Sequence, residues 1–377
     1  MKILIDARLY GLENAGLGRY LVNLIDELAN FDKKNDYVLL LRKKYYEELS
    51  VPDNWEKVLA DFRHYSLAEQ VRIPRIISKY QPSITHFPHF NVPLLFKGEY
   101  VVTIHDILMH KQKGRDATTL PAPLYYLKRI GYHTIFKKAV TGSRKIIVPS
   151  MFVKKELMDY YNLDKSKIEV TYEGADTGIT SRGKRKNLFD KYNITSPYFV
   201  YAGSAYPHKN LKRAIEAIVL LNEEMKEKIL FVMTSSRNVF TDKLKEIVKK
   251  TKAQKYVKFL GFVPDDDLGT LFKHSEGFVF PSLSEGFGLP GMEAIQAGTL
   301  VLASDIPVFK EVYKDSVLYF NPFDFSSITK IMKSVLMMPK KEREERLIKS
   351  QSFINRYSWS TMAKQTLKVY ENSNSLR

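Results

Sequence analysis

The sequence predicts an α/β protein with two Rossmann-like domains. Its 377 residues exceed what one hydrophobic core normally serves, so we expect two domains of about 150–200 residues each. Short apolar runs alternate with helical patterns along the chain, a rhythm typical of βαβ units. Each half opens on an apolar strand that runs into a glycine-containing turn, which is how Rossmann-like domains begin.

The predicted strands set the domain boundaries. The first half contains the runs Lys2 to Asp6, Tyr37 to Leu41, Ile84 to His86, Tyr100 to Ile104 and Lys145 to Val148. After a polar, turn-rich stretch, the second half contains Tyr198 to Ala202, Ile229 to Met233, Val257 to Leu260, Gly277 to Phe280 and Leu300 to Ala303. We therefore assign 1–173 to the first domain, 174–196 to a linker, 197–358 to the second domain and 359–377 to a closing helix that returns to the first domain.

Composition excludes several classes of protein. Apolar residues at 44% and charged residues at 27% are ordinary globular proportions, so neither disorder nor a fibrous repeat is expected. The absence of cysteine excludes disulfides, thiolate nucleophiles, zinc-thiolate sites and iron–sulfur clusters. The apolar start reaches Asp6 too soon for a signal peptide, and no long uncharged apolar run occurs, so a cytoplasmic protein is expected.

The first glycine-containing turn holds Gly16 and Gly18, just ahead of an amphipathic run that predicts a helix. Exposed amides and the positive end of a helix dipole favour an anion there, and glycine lets a ligand approach the backbone. The third glycine of the dinucleotide fingerprint would fall at Leu21, which disfavours nicotinamide or flavin binding. The two glycines indicate either a phosphate site or a tight turn.

A second candidate is His105 with Asp106, at the end of an apolar strand. Open α/β sheets bind their ligands at that edge. A histidine beside an aspartate suits a base with its orienting partner, or a strand-end histidine with ordinary hydrogen bonds. In the second half, the loop from Gly203 to Asn210 also joins a strand to a helix, and Lys209 near that helix suits a diphosphate or is simply solvated.

The strongest local signal is the run from Phe280 to Ala294, which begins where an apolar strand ends. Its glycines prevent one continuous helix from Glu285 to Glu293, and Pro290 suits the first turn of a helix that carries Glu293. The two carboxylates are therefore predicted on different elements. A glycoside-hydrolysing pair would need them about 5–9.5 Å apart, whereas the glycine loop favours amides that face the oxygens of a ligand.

Together these motifs resemble family 4 of the retaining GT-B glycosyltransferases. Glu285 and Glu293, set in Pro-Ser-Leu-Ser-Glu-Gly-Phe-Gly-Leu-Pro, carry the resemblance. The other matching segments, in the family's order, are Gly16-Leu17-Gly18-Arg19-Tyr20, His86-Phe87-Pro88, Thr103-Ile104-His105-Asp106, Pro149-Ser150, Gly203 with Lys209-Asn210, Gly261-Phe262-Val263-Pro264 and Ala303-Ser304-Asp305. The match extends along nearly the whole chain.

The resemblance implies two domains facing each other across a cleft, with a GDP- or UDP-linked sugar held mainly by the second and a glycan or lipid-linked acceptor on the first. By position, Glu293 would bind the ribose, Glu285 the donor sugar and Lys209 the diphosphate. The amides of Phe287 and Gly288 would meet sugar and phosphate oxygens, and His105 the transferred sugar. The implied donor-binding residues are Gly16, Gly18, Gly203, Ser204, Lys209, Phe262, Val263, Glu285, Gly286, Phe287, Gly288, Leu289 and Glu293, and the implied catalytic residues are His105, Asp106 and Glu285.

The resemblance also implies chemistry without a metal or other cofactor. The leaving diphosphate would help to deprotonate the acceptor hydroxyl, and the new bond would form on the face that the diphosphate leaves. Many members carry an arginine where Ser204 stands, as a second diphosphate cation. Here Lys209 with backbone amides, or Arg213, would neutralise that charge.

The basic charge of the first half is concentrated in one segment. The whole chain has a net charge of +17, and residues 101–155 hold 11 basic and 2 acidic residues. Residues 124–140 predict a helix with one aliphatic face and an opposite arc of aromatic and basic side chains. This helix either rests on the anionic inner face of a membrane or packs on the first domain with solvated lysines. The arc expected to face the membrane comprises Tyr125, Tyr126, Arg129, Tyr132, His133, Phe136 and Lys137.

Three functions follow from these observations. The first is a retaining transferase that moves a mannose- or glucose-type hexose during synthesis of a surface polysaccharide or glycolipid. The second is a nucleotide-sugar epimerase or hydrolase on the same fold, and the third is a non-catalytic membrane- or anion-binding protein on a transferase scaffold. The acidic, histidine and lysine motifs are all present, which weighs against the third. No nucleic-acid-binding pattern is found, so nucleic acid is not an expected partner.

Overall fold

The computed structural model describes residues 1–111, 118, 120–175, 185–235 and 239–374. The chain divides into two compact units, Met1–Gly174 with Ser358–Arg377, and Ala175–Tyr357. Each unit contains one parallel sheet with helices, so the predicted α/β class is confirmed. Of the expected linker, 176–184 lie outside the described residues, and the part that follows belongs to the second unit and includes a helix.

The first unit holds a seven-stranded parallel sheet. Its strands are β1 (Lys2–Asp6), β2 (Asp36–Leu41), β3 (Trp55–Leu59), β4 (Ile84–Phe87), β5 (Tyr100–Thr103), β6 (Lys145–Val148) and β7 (Ile168–Val170). Their spatial order is β3-β2-β1-β4-β5-β6-β7. Strands β3 and β7 were not predicted, because β3 is interrupted by Glu56 and Lys57 and β7 has only three residues.

Helices connect these strands as in successive βαβ units. They are α1 (Ala15–Phe31), α2 (Lys43–Glu48), α3 (Leu67–Tyr80), α4 (Leu108–Lys111), α5 (Ala122–Gly142) and α6 (Met151–Tyr161). Local signals mark their ends. Ser66 and Ser150 accept hydrogen bonds from backbone N–H groups of the first turns of α3 and α6, and Gln81 and Asn162 end the same helices in the left-handed conformation.

The second unit holds a six-stranded parallel sheet. Its strands are β8 (Tyr198–Ala202), β9 (Leu230–Thr234), β10 (Val257–Gly261), β11 (Gly277–Phe280), β12 (Val301–Ser304) and β13 (Leu318–Phe320). Their order is β10-β9-β8-β11-β12-β13. The helices are α7 (Arg185–Tyr192), α8 (Leu211–Glu224), α9 (Val239–Lys250), α10 (Asp265–Lys273), α11 (Leu289–Gln296), α12 (Pro307–Tyr313), α13 (Phe325–Leu336) and α14 (Lys340–Ile354). Only the short β13 was not predicted.

The closing helix α15 (Trp359–Asn374) is part of the first unit. Its Tyr370 hydroxyl lies 2.6 Å from Nδ1 of His86. Burial lowers the pKa of His86 to about 3, so the ring is neutral, and its Nε2 is hydrogen-bonded to Thr103 Oγ1, at 2.8 Å. Because Thr103 lies two residues before His105, the closing helix helps to position the strand end that carries a candidate site residue.

The strand orders identify where each unit should bind a ligand. In the first sheet the order reverses at β1, which lies between β2 and β4, and in the second it reverses at β8, which lies between β9 and β11. Loops on the two sides of such a reversal diverge and leave a crevice at the carboxyl ends of the strands.

Among the described residues, no helix is both long and apolar enough to span a bilayer.

Candidate functional site

In the second unit, two loops meet at the carboxyl ends of the neighbouring strands β8 and β11. The β8 loop runs from Gly203 to Asn210, and the β11 loop from Pro281 to Gly288. The backbone N–H of Leu283 donates to the carbonyl of His208 at 2.8 Å, and the side-chain amide of Asn210 donates to the carbonyl of Pro281 at 3.0 Å. The two predicted motifs therefore form one structural site.

An ion pair joins the two loops through two of the predicted site residues. The Lys209 ammonium lies 2.6 Å from Glu285 Oε1, and only 15% and 13% of the two side chains are exposed. The resemblance assigns Lys209 to a diphosphate and Glu285 to a sugar, and the structure places these two side chains in contact. An attraction between partly buried charges is stronger than one in open water, so the pair holds both groups at the crevice.

The glycines of the β11 loop have steric causes. Gly288 has φ of +116°, and a Cβ on it would lie 2.7 Å from the Tyr313 hydroxyl. A Cβ on Gly291 would also clash with that hydroxyl, which donates to the Gly288 carbonyl. Phe287 is buried and packs edge-on against Tyr357, with centroids 5.6 Å apart. Packing thus fixes the backbone of this loop, so its amides keep one orientation.

Glu293 lies on a different element from Glu285, as predicted. Helix α11 begins at Leu289 with Pro290 in its first turn, and Glu293 is 5% exposed. A buried carboxylate needs hydrogen-bonding partners. Glu293 thus lies in the helix that follows the glycine loop, and its role at a ligand's hydroxyl groups stays a prediction.

Two further polar atoms of these loops are buried without a hydrogen-bond partner among the described residues. They are Nδ1 of His208 and the hydroxyl of Ser282. Burial, reinforced by the charge of Lys209, lowers the pKa of His208 to about 4, so its ring is neutral near pH 7. Buried polar atoms of this kind are usually satisfied, and their position on both loops is consistent with a polar ligand there.

The remaining expected donor residues lie on the same edge of the second sheet. Gly203 has φ of +146°, and the Ser204 carbonyl accepts from the Tyr201 hydroxyl at 2.7 Å. After β10, the Phe262 side chain is 81% exposed, whereas Val263 is buried. An aromatic ring this exposed is available to a flat ligand.

The cationic side chains beside these loops are Lys209 and Arg213. Arg213 donates to Asn210 Oδ1 at 2.9 Å, and its guanidinium lies 5.8 Å from the centroid of Phe323. Across the described ranges, no three His, Asp or Glu side chains are grouped so as to hold a metal ion.

In the first unit, the two glycines occupy a different position from the predicted one. Helix α1 begins at Ala15, so Gly16 and Gly18 lie inside its first turn and not ahead of it. A Cβ on Gly18 would overlap the carbonyl oxygen of Gly11, whereas a Cβ on Gly16 would meet no atom within 4 Å. Gly18 is therefore required by packing, and Gly16 leaves open space beside the helix start.

His105 is held between two acceptors of its own unit. Its Nδ1 lies 3.3 Å from Glu173 Oε1, and its Nε2 lies 3.1 Å from the Pro88 carbonyl. The Tyr20 ring packs edge-on against it, with centroids 4.9 Å apart. The Asp106 carboxylate is exposed and accepts from the Leu108 N–H at 2.9 Å. The orienting carboxylate is Glu173.

Sequence reasoning missed Glu173 and one other residue of the first unit. Glu173 follows β7, a strand too short to be recognised, although a carboxylate after a strand was the available signal. The second is Arg8, directly beyond β1, which is buried and bound to Asp6 and Glu69. A buried arginine cannot be told from a solvated one by sequence alone.

The basic helix α5 presents a different face from the predicted one. Phe136 is fully buried with Ala139 and Val140, so its expected membrane exposure is wrong. Tyr132 is half-buried, and its hydroxyl lies 2.7 Å from Nδ1 of His110. Burying the aromatic side chains removes more apolar area from water than burying the aliphatic ones would.

The other residues of the predicted arc divide by exposure. Tyr125, Arg129 and His133 are half-buried, while Tyr126 and Lys137 are exposed. The exposed residues in the middle of the helix, between 124 and 137, are Leu124, Tyr126, Leu127, Lys128, Ile130, Gly131, Thr134 and Lys137.

Comparison with known proteins gives two family matches. The family described as Glycosyltransferase Family 4 matches residues 15–178, and the family described as Glycosyl transferases group 1 matches residues 184–351. Each match lies almost entirely within one of the two units.

Individual proteins extend these matches. The O-antigen chain mannosyltransferase B of Escherichia coli is 25% identical over 98% of this chain and 100% of its own length. The O-antigen chain mannosyltransferase RfbU of Salmonella typhimurium is 26% identical over 73% of this chain and 69% of its own. Among solved structures, that of Anabaena HepE in complex with UDP and glucose resembles this chain with a TM-score of 0.73. The match covers 99% of this chain and 100% of that one, at 16% sequence identity.

The two glycines of α1 give a matched prediction. Gly18→Ala is expected to lower the free energy of unfolding by about 1–3 kcal/mol, because the new methyl group collides with the Gly11 carbonyl. Gly16→Ala should leave it unchanged or raise it by about 0.5–1 kcal/mol, the usual gain for alanine in a helix. Urea unfolding measures both, and equal destabilisation by the two changes would contradict the distinction.

Proposed function

Because the chain belongs to family 4 of the GT-B glycosyltransferases, we propose that it moves a mannose-type hexose from a nucleotide-diphosphate sugar to a hydroxyl group of a glycan or lipid-linked acceptor, with retention of configuration. The product would be a surface polysaccharide. The contact between Lys209 and Glu285 at the crevice of the second sheet carries this proposal. It puts a phosphate-binding cation beside a carboxylate suited to sugar hydroxyls.

The donor would be bound by the second unit. Glu293 accepts hydrogen bonds from the ribose hydroxyls, and Glu285 accepts from the sugar. Lys209 and the amides of Phe287 and Gly288 meet the diphosphate and sugar oxygens. The exposed ring of Phe262, with the backbone at Val263, is available to the nucleobase.

The transfer step would need no covalent intermediate. The bond from the anomeric carbon to the diphosphate oxygen breaks, and the acceptor oxygen bonds to that carbon on the same face. The acceptor proton passes to an oxygen of the departing diphosphate. Negative charge grows on the diphosphate as the bond breaks, so Lys209 and the fixed amides stabilise the transition state more than the ground state. This cationic set serves the role without a metal.

The choice of mannose and of a polysaccharide product rests on likeness to the two O-antigen mannosyltransferases, both aligned over most of their length. A diphosphate-linked donor is further supported by the complex of the structurally similar HepE with UDP and glucose. GDP- and UDP-linked hexoses are accordingly the donors to test.

The proposal is tested by donor binding and product stereochemistry. Thermal unfolding with GDP, UDP and their mannose and glucose derivatives, in EDTA, should show stabilisation by one nucleotide class. At 100 times its dissociation constant the ligand should add about 2.7 kcal/mol. Proton NMR of the product should show the anomeric configuration of the donor. An inverted product refutes retention, and donor cleavage without transfer favours a hydrolase or epimerase.

Two substitutions separate binding from turnover. Glu293→Gln is expected to raise the donor dissociation constant by about 10–100-fold, because a neutral amide replaces a charged acceptor of two hydroxyl groups. His105→Asn should lower kcat by about a hundredfold with little change in donor affinity, if the ring meets the transferred sugar. Glu246→Gln on the exposed surface of α9 is the control. Wild-type kinetics in both test variants would contradict the assignment.

We also propose that the exposed face of α5 rests on an anionic membrane. Leu127 and Ile130 are each 66% exposed, and Lys128 and Lys137 of the same helix are exposed as well. Apolar side chains flanked by lysines suit the interface of anionic lipids, where hydrocarbon burial and charge attraction add. This location would bring a lipid-linked acceptor to the enzyme.

Vesicle binding tests the membrane surface. The double variant Leu127→Glu with Ile130→Glu is expected to lose at least tenfold in affinity for vesicles containing phosphatidylglycerol. Two apolar side chains become negatively charged, like the lipid headgroups. Ile348→Glu, at a site 68% exposed on α14, is the control. The surface would be refuted if wild type, the double variant and the control co-sedimented equally. It would also be refuted if wild type bound neutral vesicles as well as it bound anionic ones.

A further inference from the structure

Two buried tyrosines contact the loops of the candidate donor site from within the second unit. Tyr201 lies near the carboxyl end of β8, and Tyr313 is the last residue of α12. Both residues are fully buried, so neither is placed to touch a ligand. Their hydroxyl groups are nevertheless hydrogen-bonded to the backbone of the two loops.

Tyr201 holds the β8 loop. Its hydroxyl donates to the carbonyl of Ser204 at 2.7 Å. The intervening Gly203 has φ of +146°, and a Cβ on it would lie 2.9 Å from the same hydroxyl. A side chain at 203 would therefore push the tyrosine away from its acceptor. The Tyr201 ring lies parallel to that of Phe278 on the neighbouring strand β11, with centroids 6.4 Å apart, so the ring is itself held by the core.

Tyr313 holds the β11 loop in the same way. Its hydroxyl donates to the carbonyl of Gly288, which has φ of +116°. A Cβ on Gly288 would lie 2.7 Å from that hydroxyl. The Tyr313 ring packs against Phe309, about one turn earlier in α12, with centroids 5.4 Å apart. In both loops, then, a glycine with positive φ leaves room for a tyrosine hydroxyl, which binds a carbonyl at or next to that glycine.

Each hydrogen bond fixes the orientation of a whole peptide group. A peptide is planar, and both loops contain only trans bonds, so a carbonyl held on one side directs the following N–H to the other side. The fixed groups join Ser204 to Ala205 and Gly288 to Leu289. Glycine adopts φ of either sign about equally well, so Gly203 and Gly288 cannot select one conformation by themselves. The tyrosine hydroxyls supply that constraint.

The electrostatics keep both hydroxyls able to donate. Burial, reinforced by the charge of Glu285, holds the pKa of Tyr201 and of Tyr313 well above the usual range of tyrosine. Both hydroxyls therefore keep their protons near pH 7. A backbone carbonyl can only accept, so the direction of each hydrogen bond is fixed. Because the charge of Glu285 acts on both tyrosines, both lie near the ion pair between Glu285 and Lys209 that joins the loops.

We propose that Tyr201 and Tyr313 are positioning residues for binding of the nucleotide-sugar donor. Each hydroxyl holds one loop peptide in the orientation that lets the amides of that loop meet diphosphate and sugar oxygens. Amides that are already oriented bind an anion without first losing conformational freedom. Affinity for a nucleoside diphosphate therefore depends on both hydroxyls. This inference rests on the proposed transferase function and adds two residues to its donor site.

The test removes each hydroxyl in the whole chain, by Tyr201→Phe and Tyr313→Phe. The matched control is Tyr198→Phe on the same strand as Tyr201. Tyr198 is 1% exposed, and its hydroxyl donates to the carbonyl of Leu271 at 2.8 Å, in α10 and not in a donor loop. Each change keeps the ring and removes one buried hydrogen bond, so all three variants should lower the midpoint of thermal unfolding by a similar amount.

Two measurements separate positioning from stability. Calorimetry with GDP and UDP should show that both test variants raise the dissociation constant of the better-bound nucleotide about fivefold or more, and that the control raises it less than about twofold. Hydrogen–deuterium exchange without nucleotide should be about fivefold faster in 203–210 for Tyr201→Phe and in 281–291 for Tyr313→Phe. Tyr198→Phe should exchange like wild type in both segments.

The outcomes separate this proposal from the function on which it rests. Where a nucleotide binds the wild type, the affinities decide. Equal affinity in wild type and both test variants, or an equal loss in the control, refutes the positioning role and leaves the transferase intact. Where no nucleotide binds the wild type, the donor assignment fails and exchange decides. Faster exchange confined to the two loops then supports the positioning role, and exchange like that of the control refutes it.

Discussion

The ion pair between Lys209 and Glu285 depends on the strand order of the second sheet. These residues are 76 positions apart, and they meet because β8 and β11 are neighbours in the sheet, with parallel strands that end at one edge. Hydrogen bonds between the two loops, from Leu283 to His208 and from Asn210 to Pro281, keep the pair in register. Removing either charge would leave the other partly buried and unpaired. The free-energy cost of that unpaired charge is larger than the stabilisation that the intact pair provides. The candidate site is thus also a point of structural constraint.

Much of the fold follows from the sequence because apolar strands buried on both faces are continuous hydrophobic runs. Strand β1 was predicted with its observed bounds, whereas β3 was missed because Glu56 and Lys57 interrupt it. The placement of Glu285 in a loop and of Glu293 in the helix that follows it was predictable from the glycines and the proline between them. The buried face of α5 was not, because both of its faces contain apolar residues and only tertiary packing selects Phe136.

Glycine is informative here only together with the space around it. Gly16 and Gly18 are equivalent in sequence, yet one adjoins open space and the other the carbonyl of Gly11.

The surroundings also decide what a polar side chain does. Arg8 and Lys43 are both basic residues of the first unit, but Arg8 is buried between two carboxylates and Lys43 is exposed. Only part of the environment of Arg8 is local in sequence, because Asp6 is two positions away but Glu69 is 61.

Arg8 and Lys209 differ in what binding a ligand would require of them. Arg8 is held by two carboxylates, Asp6 and Glu69, and its side chain is fully buried, so a ligand could reach it only if the surrounding structure moved. Lys209 by contrast has its ammonium bound to Glu285. A phosphate that attracts Lys209 weakens this pair and releases Glu285 to accept hydrogen bonds from sugar hydroxyls. Phosphate and sugar recognition would then reinforce each other, so that a nucleotide lacking its sugar leaves Glu285 without a compensating partner and binds less tightly than the whole donor.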